Sequence, residues 1–257
     1  MNSKYPLAGR GIVITRPAGE SQRLAALIRH AGGVPLLFPA IEIIDAPDPR
    51  ALDDVIDRLD EFDLAIFISP SAVEKAMTRI TARCVLPAKL RCAAIGPGGV
   101  RALQRFGVTE VIAPEGRYDS ESLLASSFMQ SVGGMRIVIF RGDGGRELLG
   151  ETLSERGAAV EAVTCYRRVK PALDNAHLLQ AWARGEVAAV IITSSEGLRN
   201  LCEMIGMAGQ TYLRNTLMVV PHSRIAATAR EMDMMQVVES ASGDEALAQT
   251  VIHHVSS

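Results

Sequence analysis

The sequence predicts an α/β protein assembled from two copies of one β/α unit, and three observations carry that expectation. Short apolar runs alternate along the whole chain with segments of helical apolar spacing, the pattern of parallel sheets with crossover helices. The chain is also self-similar at a shift of about 125 residues: GIVITRPAGESQRLAALIRHAGG from Gly11 lies over RIVIFRGDGGRELLGETLSERGA from Arg136. LAIFISPSAVEKAM likewise matches AAVIITSSEGLRNL, and VIAPEGRYDSESLL matches VVESASGDEAL. Finally, VPLLFPAIEIID (34–45) and AVEAVTCYRRVKP (159–171) occupy equivalent places in the two copies and are longer than a mid-sheet strand needs to be.

Strands are expected at 11–15, 34–44, 64–69, 91–96, 109–113, 136–140, 159–169, 187–193, 216–220 and 235–239, each a β-branched or apolar run bounded by turn residues. The helices between them have apolar residues at helical spacing, as Leu24, Leu27, Ile28 and Ala31 do before the stop signal Gly32-Gly33. Ser71 with Glu74, Thr193 with Glu196 and Ser242 with Glu245 have capping-box spacing and mark helix starts. A strand that outgrows its sheet reads as a crossing between domains. If both long runs cross, residues 1–37 and 169–257 form one discontinuous domain and 43–165 the other, with 38–42 and 166–168 as crossing linker strands.

Composition narrows the function. A chain of 257 residues with 48% hydrophobic residues has ample core for this architecture, and a net charge of −2 argues against binding nucleic acid or a membrane surface. Lys4, Lys75, Lys89 and Lys170 are the only lysines among 27 basic residues. That arginine bias suits recognition of carboxylate or phosphate, although codon bias with solvated side chains yields the same count. Cys84, Cys92, Cys165 and Cys202 form no metal-ligand spacing and read as small buried hydrophobes in a reducing compartment. With no signal-like segment and no apolar run long enough to span a bilayer, a cytoplasmic, soluble chain is expected.

RIVIFRGDGGRELL (136–149) runs a strand into a glycine-rich turn and a helix, as phosphate loops do. It lacks GxxxxGK[ST] and makes no GxGxxG with an acidic partner, so a nucleotide is not indicated.

The motifs ITRP (14–17), FISPSAV (67–73), AAIGPGGVRAL (93–103), VIAPEGRYDSESLL (111–124), YRRV (166–169), IITSSEGLRNL (191–201) and VPHSRIAATA (220–229), in this order and spacing, resemble the uroporphyrinogen-III synthase family over nearly the whole chain. The resemblance implies two flavodoxin-like domains joined by a two-stranded β-ladder. It also implies an activity: cyclisation of the linear tetrapyrrole hydroxymethylbilane to uroporphyrinogen III, with loss of water and inversion of ring D. No cofactor or metal is expected, nor any partner beyond this polycarboxylate substrate, and the chain is expected to be a monomer. The alternative is a non-enzymatic two-domain sensor for a small polyanion, since fold does not fix function.

A polycarboxylate fits strand-end turns rich in Gly, Ser, Thr and Arg, because ligands of parallel α/β sheets sit beyond the carboxyl ends of the strands, against helix N-termini. Thr15 and Arg16, with Arg141 and Gly142 as their counterparts, end equivalent strands. Ser69, Ser71, Thr193, Ser194 and Ser195 are candidate donors to substrate, though N-capping selects the same residue types. Gly96, Pro97 and Gly98 allow close backbone approach, which a tight turn also needs. The second copy reads VPHSRIA there, making His222 and Arg224 side-chain candidates.

Loss of the substrate hydroxyl needs a proton donor, and a phenol is one at neutral pH. Tyr5 is expected in a mobile tail and Tyr212 in a loop; Tyr118 follows a strand end and is a substrate-binding candidate. Tyr166 lies where the family places its functional tyrosine, and its counterpart in the first copy is Ile41. It is the catalytic candidate, with packing in the ladder as the alternative.

Overall fold

The computed structural model describes residues 5–116, 118–144 and 147–256. Gly145 and Arg146 of the glycine-rich turn, and Arg117 of PEGRYDS, lie outside the described residues. In chain order the elements begin with β1 (Gly11–Ile14), α1 (Gln22–His30), β2 (Val34–Leu37), β3 (Glu42–Asp45), α2 (Arg50–Asp57), β4 (Leu64–Phe67) and α3 (Pro70–Arg83). There follow β5 (Arg91–Ala94), α4 (Pro97–Arg105), β6 (Val111–Ile112), α5 (Ser120–Ala125), β7 (Arg136–Gly142), α6 (Leu148–Glu155) and β8 (Ala159–Val169). The last elements are α7 (Ala176–Ala183), β9 (Val187–Ile191), α8 (Ser195–Asn215), β10 (Leu217–Val220), α9 (Ser223–Glu231), β11 (Val237–Glu239) and α10 (Asp244–Val255). Among the described residues no helix is long and apolar enough to cross a membrane.

The chain divides into two compact units, Met1–Glu42 with Val169–Ser257, and Ile43–Arg168. The first holds a sheet in the order β2-β1-β9-β10-β11, every pairing parallel. All four residues of β1 are buried, as a central parallel strand requires when both its faces are covered. The two-residue period sorts them. Ile12, Ile14, Ala189, Ile191 and Val219 join α1 and α10 in one core, whereas Val13, Val190, Ile192, Met218 and Val220 join α7, α8 and α9 in another.

The second unit holds a sheet in the order β3-β8-β7-β4-β5-β6, in which the pairings from β8 to β6 are parallel. Leu64, Ile66, Ala93, Ile137 and Ile139 pack with α5 and α6; Ala65, Phe67, Cys92, Val138 and Phe140 pack with α2, α3 and α4. Phe67 and Phe140, on neighbouring strands, stack with ring centroids 4.9 Å apart.

Several expectations need correction. The run at 34–44 is two strands in different sheets, not one. Pro39 has no N–H to donate to a ladder, and Phe38 and Ala40 instead bond the end of β1, through Ile14 and Thr15 carbonyls. The helix caps fall one or two residues from the expected positions. Ser69, not Ser71, accepts from Ala72 N at 3.0 Å, and Ser194, not Thr193, accepts from Gly197 N at 2.9 Å. Ser69 is extended and is followed by Pro70, which starts a helix without losing an N–H bond. Before α10 stands Gly243 with φ +110, a conformation Ser242 would rarely adopt. Tyr212 is helical and stacks on Trp182: α8 breaks at Gly206, whose φ of +63 is not helical, and a second helical segment carrying Tyr212 follows directly. Tyr5 lies against Gly32, and Cys84 is exposed while the other three cysteines are buried.

Candidate functional site

In the second unit, candidates distant in sequence converge at the carboxyl ends of the strands. Tyr166, near the end of β8, is only 2% exposed. Its phenolic oxygen lies 3.0 Å from Ser69 Oγ, in the turn between β4 and α3. The ring is set so close to Gly142 that a Cβ there would stand 2.6 Å from Tyr166 Cζ and 3.0 Å from the phenolic oxygen. The turn after Gly142 is tied to the same strand: Asp143 N donates to Tyr166 O at 2.9 Å, and Arg168 N donates to an Asp143 carboxylate oxygen at 3.0 Å. Ser69, Gly142 and Tyr166 therefore form one constellation across β4, β7 and β8.

The neighbouring turns continue this edge. A Cβ on Gly98 would stand 2.9 Å from Pro70, and Gly96 faces Tyr118, whose Cβ is 3.4 Å from the same construction. Gly96 precedes α4, which begins at Pro97, and Tyr118 is 51% exposed. Ser71 is half-buried at the second position of α3. Asp119, missed in the sequence reading, caps α5 by accepting from Ser122 N at 2.8 Å. An acidic residue directly before SESLLA was signal enough to find it.

The Arg141 guanidinium donates to the Glu147 carboxylate at 3.0 Å and to the Gly144 carbonyl at 2.9 Å. Arg16 in the other unit is similarly engaged, forming an ion pair with Asp244 at the start of α10. Each of these arginines already holds a carboxylate of its own chain.

In the first unit, Thr15 is 4% exposed and its hydroxyl donates to Ile191 O at 2.9 Å, bridging β1 and β9. Ser195 Oγ lies 3.0 Å from Thr228 Oγ1, which donates to Arg224 O, so the shared proton in the first contact comes from Ser195. Thr193 is half-buried between β9 and the Ser194 cap. His222 immediately precedes α9 and makes no side-chain cap; it and Arg224 are exposed. Ile41, the sequence counterpart of Tyr166, is buried, its Cδ1 3.7 Å from a Cβ built on Gly197.

Two of the thiols are unsuited to nucleophilic work: burial pushes Cys92 up to about 11 and Cys165 up to about 12. Among the described residues no group of three or more His, Cys, Asp or Glu is gathered as a metal site requires.

The model of the family described as uroporphyrinogen-III synthase HemD matches residues 22–249. The uroporphyrinogen-III synthase of Escherichia coli is 32% identical over 92% of this chain and 98% of its own, and that of Salmonella typhimurium is 34% identical with the same coverage. Two solved structures share the fold. They are a mutant uroporphyrinogen III synthase of Thermus thermophilus (TM-score 0.59, 22% identity, 96% and 98% of the two chains) and the enzyme of Helicobacter pylori (TM-score 0.61, 15% identity, 95% and 99%). With a family model covering most of its length and relatives above 30% identity over 92% of it, this chain belongs to the uroporphyrinogen-III synthase family.

Proposed function

We propose that this protein cyclises hydroxymethylbilane to uroporphyrinogen III without a cofactor, and that Tyr166 is the acid assisting departure of the hydroxyl. The observation that carries the activity is the identity of 32–34%, over 92% of this chain, to enzymes named for it. For Tyr166 the support is local: a phenol held by Ser69 at 3.0 Å at the carboxyl edge of a parallel sheet, where such folds bind ligands.

The step balances as follows. The C–O bond of the terminal hydroxymethyl group breaks with its electron pair on oxygen, and the phenol proton goes to that oxygen to make water. The pyrrole N–H of the same ring gives its proton back to the phenolate, leaving a neutral azafulvene. Ring D then attacks that carbon from its substituted position, and the protein holds the flexible chain so that this closure outruns simple head-to-tail closure. In the second unit, substrate carboxylates would be met by backbone N–H groups at the starts of α3 and α4 and by Ser71; the first unit offers the starts of α8 and α9 with Thr193, Ser194, Ser195, His222 and Arg224 as its own candidate donors. Each charge-assisted hydrogen bond is worth roughly 1.5–3 kcal/mol, so many modest donors suffice without one dominant clamp. Tyr166 is enclosed in this structure, so the role requires its covering residues to part as substrate enters.

The architecture behind this reading is a pair of flavodoxin-like domains related by the internal repeat of about 125 residues, with 38–42 and 166–168 as the linkers, of which 166–168 is strand and 38–41 is not. It is supported by the strand orders: β2-β1-β9-β10-β11 is the order 2-1-3-4-5 of that fold, and β8-β7-β4-β5-β6 is the same order with the first two strands supplied last.

Incubation with freshly generated hydroxymethylbilane, followed by oxidation and isomer analysis, tests the activity. Type III porphyrin is expected. Type I alone would overturn the activity and favour a sensor that binds the polyanion without turning it over.

A further inference from the structure

We infer that Ser69 is a positioning residue for Tyr166: its hydroxyl fixes the phenolic oxygen and donates to it as negative charge develops during proton transfer. The inference rests on the reading of Tyr166 as the acid and adds what makes that acid competent.

Three features of the geometry support it. Ser69 Oγ accepts from Ala72 N at 3.0 Å, which anchors the oxygen to the first turn of α3 and leaves its own proton for another acceptor. Tyr166 Oη stands 3.0 Å away and can take that proton. Gly142 closes the opposite side, since the phenyl ring occupies the space in which any Cβ would sit. The phenol is thus held between a hydroxyl and bare backbone on two other strands. Donation by Ser69 also settles which way the phenol points: with Ser69 as donor, the Tyr166 proton is left for the substrate. As that proton leaves, the same hydrogen bond becomes charge-assisted and strengthens, which is stabilisation realised in the transition state and little in the ground state. Ser69 is a helix cap as well, so a bland reading exists in which it serves α3 alone.

Four variants separate the roles. Ser69→Ala loses cap and donor; Ser69→Thr keeps both. Ser69→Asp keeps the cap, accepting from Ala72 N, but has no proton to give, and its carboxylate would draw the Tyr166 proton toward itself. Tyr166→Phe is the reference. For the intact protein, Ser69→Ala should lower kcat about tenfold with KM within about twofold, because one hydrogen bond of ordinary strength is lost from the transition state. Ser69→Thr should restore kcat, and Ser69→Asp should restore the thermal midpoint while kcat stays low. Recovery of kcat in Ser69→Asp, or unchanged kcat in Ser69→Ala, overturns the proposal in favour of capping alone. A second readout needs no turnover: in protein labelled with 3-fluorotyrosine, the 19F resonance absent from Tyr166→Phe should shift in Ser69→Ala and return in Ser69→Thr. An unmoved resonance overturns the positioning role, whereas a wild type that yields only type I product while the resonance moves sinks the acid assignment and leaves the contact.

Discussion

Gly142→Ala tests the placement of Tyr166 from the side opposite Ser69. The added methyl would lie 2.6 Å from Tyr166 Cζ and 2.7 Å from Cε2, whereas ordinary contact begins at 3.4 Å, so the ring must retreat by roughly 0.8 Å. It has little room, for Tyr166 belongs to the same core as Phe67 and Phe140 and is among the largest fully buried side chains. Overpacking of this kind costs about 1–3 kcal/mol, which in a chain of this size lowers the thermal midpoint by about 3–10 °C. Displacing a reacting group by nearly 1 Å costs on the order of 10² in rate, so kcat should fall about 30- to 100-fold with a smaller change in KM. Gly150→Ala is the control: its nearest neighbours would be 3.9 Å away and it lies inside α6, so it should stabilise by about 0.5–1 kcal/mol and leave turnover alone. Turnover by the type III assay and thermal denaturation of both variants decide the matter. Wild-type turnover in a stably folded Gly142→Ala protein would refute the claim that the phenol's position matters.

Tyr166→Phe keeps the ring against Gly142 and should reduce kcat by about 10- to 1,000-fold, water serving as a poorer acid, with product affinity nearly unchanged; Tyr118→Phe should move KM more than kcat. Steady-state kinetics check both, and unchanged turnover in Tyr166→Phe returns that residue to packing. Activity should survive exhaustive dialysis against chelator, and a loss reversed by one divalent metal would contradict the cofactor-free reading. Only the exposed Cys84 should react quickly with a thiol reagent at pH 8, the other three reacting on denaturation. Because Cys92 and Cys165 stay protonated in the fold up to about 11 and about 12, while unfolded thiols ionise near 8.5, stability should fall as pH rises above about 8.5 and go on falling until those thiols ionise. Each thiol contributes a slope of about 1.4 kcal/mol per pH unit at most, and urea midpoints between pH 8 and 10 should fall less steeply in a Cys92→Ala/Cys165→Ala variant.

What the sequence revealed depended on how local the cause was. The parallel sheets were legible because both faces of each central strand are buried: Ile12 and Ile14 serve one core and Val13 the other, which produces a continuous apolar run between helices. The two long runs were correctly singled out as unusual. Yet the break within the first was passed over, because Phe38-Pro39-Ala40-Ile41 is as apolar as the strands beside it; Pro39 was the one local sign that the ladder stops between β2 and β3. Capping serines were located to within two residues: the capping-box spacing selected Ser71 with Glu74 and Thr193 with Glu196, whereas the true caps Ser69 and Ser194 have Ala72 and Gly197 three residues on and so carry no such signal. The partners of the arginines were hidden for a different reason. Arg16 meets an aspartate 228 positions away, a pairing that no local pattern announces.

The same distinction explains why the serines of the strand-end turns say little about chemistry while one tyrosine says much. Ser69 and Ser194 both follow a strand, both are extended, and both accept from a backbone N–H three residues on. Capping alone accounts for a serine at each place, worth about 1 kcal/mol. What differs is the residue delivered to each turn by a distant strand or crossing segment. Beside Ser194 and Gly197 lies Ile41, which gives the hydroxyl no partner of its own kind; at Ser69 it is Tyr166, whose phenol lies at hydrogen-bond distance. An apolar side chain there would bury just as well and would leave no polar atom to satisfy. A phenol enclosed at the carboxyl edge of the sheet, where isoleucine serves elsewhere in the chain, adds a desolvation cost of its own, which the bond to Ser69 offsets. Stability gives no reason for that choice, whereas the proton transfer proposed for Tyr166 would.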